Sequence, residues 1–451
     1  MCGPLRSKLC LAARCIHRLS SRPVTASQPD RPDAVKTQVA PNGVEVHLLA
    51  TERERSSLCL WSVEGALNGP RAATALLPDL LTRGSAASPG LADMAARCEE
   101  LYDADLLATV TAHGPQQVLR FGVEVLADRY AGGRRLFDEA TALLAETLRD
   151  PPLNAGRFRE DHLEQERLNL VRSIEGLADD KGLLAWRRMV ETMHADTPFA
   201  QHSWGSVAEA EALAEPTVRA AWESVRDEAP ARLVVVGDVS LDDAIRAALV
   251  LGGDSPRKPP TVHGPPRLSS RTEPRRVSHS EPLAQSQLVL GYAVDADALS
   301  GPACALAAAA FGGGSHSRLF KRVREAEGLA YGCGASLLSD SATLVVSAGL
   351  DADAAPHVVD AVAEELARLV AGDLSEAEFE LSRSAVLRRL DVLQDRPRDI
   401  AGYRLYGLAT GREFRPEEAA RAVAELTVDQ VCQAAGAFSL DTAYLLEGST
   451  S

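Results

Sequence analysis

The order of secondary-structure signals in this chain runs twice, and a repeat of that length leaves few folds open. In the first pass, apolar alternation marks strands at 44–50 and 58–63, the first after a turn at Pro41-Asn42-Gly43. Helical stretches follow at 71–83 and 90–102, separated by the Gly84–Pro89 break. A hairpin spans 105–112 and 118–126 across His113-Gly114-Pro115. Long helical patterns occupy 134–149, 157–176 and 181–194, Ser206 with Glu209 makes a capping box, and 232–237 is an apolar strand. The second pass has a strand at 287–294, an Ala-rich helix at 302–311 and a glycine turn, Gly312-Gly313-Gly314, where positive φ is expected. A short helix over 317–326 leads to strands 329–337 and 342–349. Helices 355–371 and 376–394 come next, the latter opened by Ser375 with Glu378. Thr427 with Gln430 opens a final helix before strand 442–447. Phe158 and Phe379, at matching places ahead of long helices, stand 221 residues apart.

Between the passes lies Gly252–Pro274, rich in Pro, Gly, Ser and Arg and without hydrophobic periodicity. It reads as a linker. Hairpins followed by helix pairs imply an α+β fold of two duplicated domains, with mostly antiparallel sheets and packed helices, rather than a Rossmann sheet. The expected division is a tail at 1–35, a first domain at 36–252, a linker at 253–276 and a second domain at 277–451. A length of 451 residues, too great for one ordinary core, agrees with this.

Charge narrows the function. There are 48 basic and 63 acidic side chains, a net charge of −15, which argues against nucleic-acid binding. No apolar run approaches the roughly 20 residues that span a bilayer. Five basic residues (Arg6, Lys8, Arg14, Arg18, Arg22) and no acid precede Asp30. Such an opening fits a transit peptide, and equally a disordered bacterial tail or a misassigned start. The eight cysteines contain no C-x-x-C pair and point to a reducing compartment: the cytoplasm, or the mitochondrial matrix if the tail is a transit peptide. No two of the ten histidines stand at i, i+4 on a helix, so no H-E-x-x-H or H-x-x-E-H grips a metal. Neither a nucleotide-binding glycine loop nor a G-x-S-x-G elbow is present.

One phrase carries more. Gly312-Gly313-Gly314-Ser315-His316-Ser317-Arg318-Leu319-Phe320 runs into Val323-Arg324-Glu325 and Gly328-Leu329-Ala330-Tyr331. It resembles the C-terminal half of the insulinase/pitrilysin metallopeptidases, a family that includes mitochondrial processing peptidase and the respiratory core subunits. The resemblance covers about 40–447 and implies the processing-peptidase-like metallohydrolase fold. Aligned on Gly84, the family's H-x-x-E-H falls on Ala75, Pro78 and Asp79, and its third ligand, a glutamate, on Glu164. Ala75 and Pro78 can neither ligate nor take a proton, so the resemblance implies no zinc site here, with Glu164 a vestige. It also implies that Arg324 and Tyr331, seven residues apart, bind peptide and donate hydrogen bonds to an oxyanion. Glu99-Glu100-Leu101-Tyr102-Asp103-Ala104 resembles the -L-Y-G-A- segment of non-catalytic bacterial members, with Asp103 in place of Gly.

The function implied is a non-catalytic subunit, inactive alone, that supplies substrate-binding and oxyanion-stabilising residues to a homologous zinc-bearing partner in a heterodimer. Zinc is then expected only in the partner, and the ligand is a peptide. The alternative is a structural core-type subunit of a respiratory complex. An autonomous zinc endopeptidase is disfavoured by the missing ligands.

Overall fold

The computed structural model describes residues 35–448, apart from 52–53, 67–68, 269–270, 299–300 and 412–414. The tail expected at 1–35 lies almost wholly outside the described residues. Asp33–Ser451 forms one compact unit that contains two sheets.

The first half begins with β1 (Lys36–Val39), β2 (Glu45–Ala50) and β3 (Ser56–Ala66), then α1 (Arg71–Leu81) and α2 (Leu91–Glu100). The hairpin β4 (Asp105–His113) and β5 (Gln116–Leu126) precedes α3 (Leu136–Arg149) and a small ribbon of β6 (Leu153–Asn154) and β7 (Arg157–Phe158). Helices α4 (Glu160–Gly176), α5 (Lys181–Met193), α6 (Val207–Glu211) and α7 (Glu215–Asp227) lead to β8 (Ala231–Gly237) and α8 (Leu241–Gly252). The second half has β9 (Arg275–Glu281), β10 (Ser286–Val294), α9 (Pro302–Gly312), a π-helix over Phe320–Ala326, β11 (Gly332–Leu338) and β12 (Thr343–Leu350). It closes with α10 (Ala355–Val370), α11 (Glu376–Val392), α12 (Pro397–Thr410), α13 (Pro416–Ala424), α14 (Val428–Ala435) and β13 (Phe438–Gly448).

The strand orders match. The first sheet runs β1-β2-β8-β3-β5-β4 and the second β9-β13-β10-β12-β11. With β1 set aside, β2, β8, β3, β5 and β4 take the places of β9, β13, β10, β12 and β11. The match extends to direction: β2–β8 and β9–β13 are the parallel pairs, and every other pair in the two sheets is antiparallel. β4 and β11 are the equivalent edge strands.

Both sheets are covered on two faces, which explains why β8 (ARLVVVG) is buried at every position. Leu233 and Val235 point into the large core of the first half, together with α1, α3 and α8 residues. Val234 and Val236 point the other way, onto Ala401 and Leu405 of α12, a helix from the second half. The reverse holds for β10. Leu288, Leu290 and Tyr292 enter the core of the second half. Val289 and Ala293 meet Ala185, Met189 and Met193 of α5, a helix from the first half. A Cβ at Gly291 would collide with the Met189 and Met193 sulfurs, so this residue lets α5 lie close.

The halves thus exchange helices, and ion pairs mark the exchange. Lys181, the first residue of α5, meets Glu281 of β9 at 3.0 Å. Arg398, the second residue of α12, meets Glu124 of β5 at 2.5 Å and Asp105 of β4 at 2.6 Å. A cation in a helix's first turn works against the helix dipole, so these placements serve the contact between halves.

Three details differ from the sequence reading. None of Gly312, Gly313 and Gly314 has positive φ. Instead a Cβ at Gly312 would run into the Ala335 backbone and one at Gly313 into that of Ala309, so the constraint is close packing. Strand β9 begins at Arg275, inside the segment read as linker 253–276. Helix α1 continues through Pro78 to Leu81 rather than to 83.

Candidate functional site

Helix α1 (RAATALLPDLL) buries nine of its eleven residues, which makes it a core element. Ala75 is 3% exposed and packs with Leu76 and Leu77 in the core of the first half. Pro78 is also buried, and Asp79 lies on the exposed side. Glu164 sits on the outer face of α4 and accepts two hydrogen bonds from Arg167, at 2.7 and 3.0 Å. Those bonds hold its carboxyl below the ordinary range. The α4 carboxylate that turns inward is Glu166, which meets Arg83 at 2.5 Å and accepts from Asn169 at 3.0 Å.

Glu164 lines a cleft of about 960 Å³ with Ala86, Pro89, Pro152, Leu153, Asn154, Arg159, Glu160 and Asp161; Ala75, Pro78 and Asp79 are not among its walls. Catalytic zinc takes three protein ligands and a water. The side chains of Ala75 and Pro78 offer no donor atom, and Glu164 is bonded to Arg167. The residues present do not fit a resident zinc. Among the described residues no group of three or more His, Cys, Asp or Glu side chains is placed to hold a metal.

The second-half segment is built differently. Arg318 is buried, and its guanidinium donates to Glu365 of α10 at 2.7 Å and to the Asp373 carbonyl. Arg322 (3.2 Å) and Arg368 (2.8 Å) also bond Glu365, so one buried carboxylate gathers three arginines. From this anchor the π-helix carries Arg324 outward, its guanidinium 4.8 Å from the Phe320 ring centroid. The wide turn is visible where the Glu327 N–H reaches the Arg322 carbonyl, five residues back, at 3.0 Å. Gly328 (φ +62) reverses the chain, Leu329 N–H donates to the Val323 carbonyl, and Ala330 turns inward. Tyr331 is tied to the sheet by its N–H, which bonds the Gly349 carbonyl at 2.9 Å, while its side chain is 66% exposed. Arg324 and Tyr331 therefore sit on one exposed segment at the head of edge strand β11. No hydrogen bond joins them.

The equivalent place in the first half is the turn from α2 into β4. Tyr102 (φ 59) and Asp103 (φ 57) are both left-handed, which accounts for Gly at the Asp103 position in the segments it resembles. Tyr102 is 52% exposed, with the Arg134 guanidinium 5.7 Å from its ring.

A family model described as the peptidase M16 inactive domain matches residues 218–386, from α7 across the linker into α11. The Bacillus subtilis protein described as the probable inactive metalloprotease YmfF is 24% identical over 411 residues, covering 90% of this chain and 96% of that protein. This chain carries a peptidase M16 inactive domain over 218–386 and is homologous to that protein along most of its length. Two crystal structures share its fold. One is a conserved protein from Enterococcus faecalis, with a TM-score of 0.85, 22% identity, and 92% of this chain and 99% of that one covered. The other is a peptidase M16 inactive domain from Pseudomonas fluorescens, with a TM-score of 0.75, 18% identity and the same coverage.

The chain is thus a homologue of proteins described as inactive M16 metallopeptidases, and its α1 has no donor side chain at 75 or 78. Among the described residues no helix is long and apolar enough to cross a membrane. The Glu365 anchor was missed in the sequence, although Arg318 was part of the phrase that carried the resemblance. Its carboxylate lies 47 residues away on α10, and nothing in the spacing links the two.

Proposed function

We propose that this M16 homologue is the non-catalytic member of a two-chain zinc peptidase. A homologous partner carries the zinc, and this chain contributes Arg324 and Tyr331 to peptide binding and to the oxyanion. The observation that carries the reading is the exposure of both side chains on a segment anchored by buried Arg318 and Glu365. A guanidinium and a phenol both donate to a carbonyl oxygen gaining charge, and a rigid base lets them do so without reorganisation. On this reading the assembly is a heterodimer, zinc belongs to the partner alone, and the ligand is a peptide. The shared strand order supports an internal duplication, with 36–252 and 277–451 as its units. The compartment is the cytoplasm.

The test reconstitutes the chain with an M16 subunit that has an intact H-x-x-E-H. Tyr331→Phe keeps the ring and removes the hydroxyl, and it lowers kcat by about 10²–10³ with complex formation unchanged. Arg324→Lys also lowers turnover, because an ammonium lacks the planar fork. Full turnover by both variants in an intact complex refutes the reading.

A further inference from the structure

Arg322 has two carboxylates ahead of it on its own segment, Glu325 three residues on and Glu327 five residues on. An α-helix turns about 100° per residue, so side chains three or four apart meet, whereas those five apart stand about 140° round the axis. Arg322 nevertheless pairs with Glu327, Nε to Oε1 at 2.9 Å. Glu325 is exposed and makes no ion pair among the described residues. Arg322 and Glu327 are joined a second time, since the Glu327 N–H reaches the Arg322 carbonyl at 3.0 Å. A bond from i to i+5 is what defines a π turn, so the ion pair belongs to the π register and would be broken in the α register.

The rest of the Arg322 guanidinium is held by α10. Nη2 meets Glu364 at 2.5 Å and Nη1 meets Glu365 at 3.2 Å. Arg322 thus fastens the π turn to the helix that also carries the partner of Arg318. Val323 beside it is buried and Arg324 faces out. Beyond the turn, Gly328 reverses the chain at φ +62, and the Leu329 N–H donates to the Val323 carbonyl at 2.8 Å. The same register therefore runs on to Tyr331.

We propose that Arg322 is a positioning residue: through Glu327 and α10 it holds the 320–326 segment in the π register, and so fixes where Arg324 and Tyr331 stand. A π turn closes its hydrogen-bonded ring with one residue more than an α turn. Reversion to the α register, with Arg322 on Glu325, would leave one residue of slack between the buried anchor and Tyr331. What the two donors act on rests on the proposed function; the register of the turn does not.

Two charge-matched variants of the full chain test the register. Glu327→Gln removes the π-specific pair, and Glu325→Gln removes the same charge from the competing position. In Glu327→Gln, amide exchange at Glu327 and Leu329 should quicken by up to about fivefold, the scale of one exposed ion pair, with the β12 amides unchanged. In Glu325→Gln it should stay at or below the wild-type rate, and in Arg322→Met it should quicken further. Equal exchange in the two Gln variants, or no change in Glu327→Gln, overturns the assignment, whether or not Arg322→Met folds. In the chain reconstituted with a zinc-bearing M16 subunit, Glu327→Gln should lower kcat, and by a smaller factor in an Arg324→Lys background, because it acts through that side chain. The same factor in both backgrounds reduces Arg322 to a structural residue. Full turnover by Arg324→Lys and Tyr331→Phe refutes the peptidase reading instead, and the exchange rates still decide the register.

Discussion

The two segments that the family resemblance singles out, α1 in the first half and the π-helix with Tyr331 in the second, are built in opposite ways. In the first half, α1 is core, with Ala75 and Pro78 packed at the positions where the resemblance puts the family's ligand and base. In the second, Arg324 of the π-helix and Tyr331 are exposed, while Val323 and Ala330 beside them are buried above the Arg318–Glu365 pair. Apolar substitution in α1 costs nothing in packing, because a buried imidazole or carboxylate without a metal leaves an unsatisfied polar group. Exposed Arg324 and Tyr331 have no such support from the core, so packing does not explain them. One segment is scaffold and the other presents hydrogen-bond donors to solvent.

The largest effect that sharpens this contrast is at the anchor. Glu365→Ala leaves buried Arg318 with only the more distant Asp373 and Glu378 carboxylates, at 3.4 and 3.7 Å, and should cost about 3–5 kcal/mol in a urea titration. Glu64→Ala in the first half should cost less, because Arg232 keeps Glu45. Equal losses would mean the second half has no special framework.

Next come the exchanged helices. Leu405→Ala in α12 and Met189→Ala in α5 should each cost about 2–5 kcal/mol. Both should shift a single transition, since each helix completes the core of the other half. Separate transitions would show that the halves fold independently.

The histidines give a pH signature. Burial pushes His194 and His202 down to about 4 and His113 to about 3. Their folded values lie below the unfolded value of about 6.5, so the neutral forms stabilise the fold. That contribution is complete above about pH 6.5 and is lost as pH falls toward 4. The slope reaches about 1.4 kcal/mol per pH unit for each histidine. Unfolding free energies from about pH 7 to pH 5 should fall, and His194→Gln should flatten the curve. A flat wild-type profile would place these rings in contact with water.

The smallest effects separate strain from function. Asp103→Gly should raise stability by about 1 kcal/mol by relieving the left-handed backbone, whereas Tyr331→Phe should leave stability within about 0.5 kcal/mol. A large loss in Tyr331→Phe would make that residue structural.

Much of this was legible in the sequence. Ser206, Ser375 and Thr427 cap their helices as their spacing implied, and the missing donors at 75 and 78 were plain. Helix α12 was not. Its sheet-facing Ala401 and Leu405 alternate with partly buried Tyr403, Arg404 and Tyr406, so no clean apolar stripe announces it. Strands β1 (KTQV) and β9 (RRVSHSE) are polar edges without strong alternation. That α5 serves the other half's sheet depends on topology that no local pattern encodes.

The proposed function requires that α1, a core helix without donor side chains at 75 and 78, holds no metal in this chain. Metal analysis of the purified chain after dialysis, combined with a peptide-cleavage assay with and without chelator, tests it most directly. The account predicts no stoichiometric zinc and no cleavage by the chain alone. A full equivalent of tightly held zinc with chelator-sensitive proteolysis would contradict it.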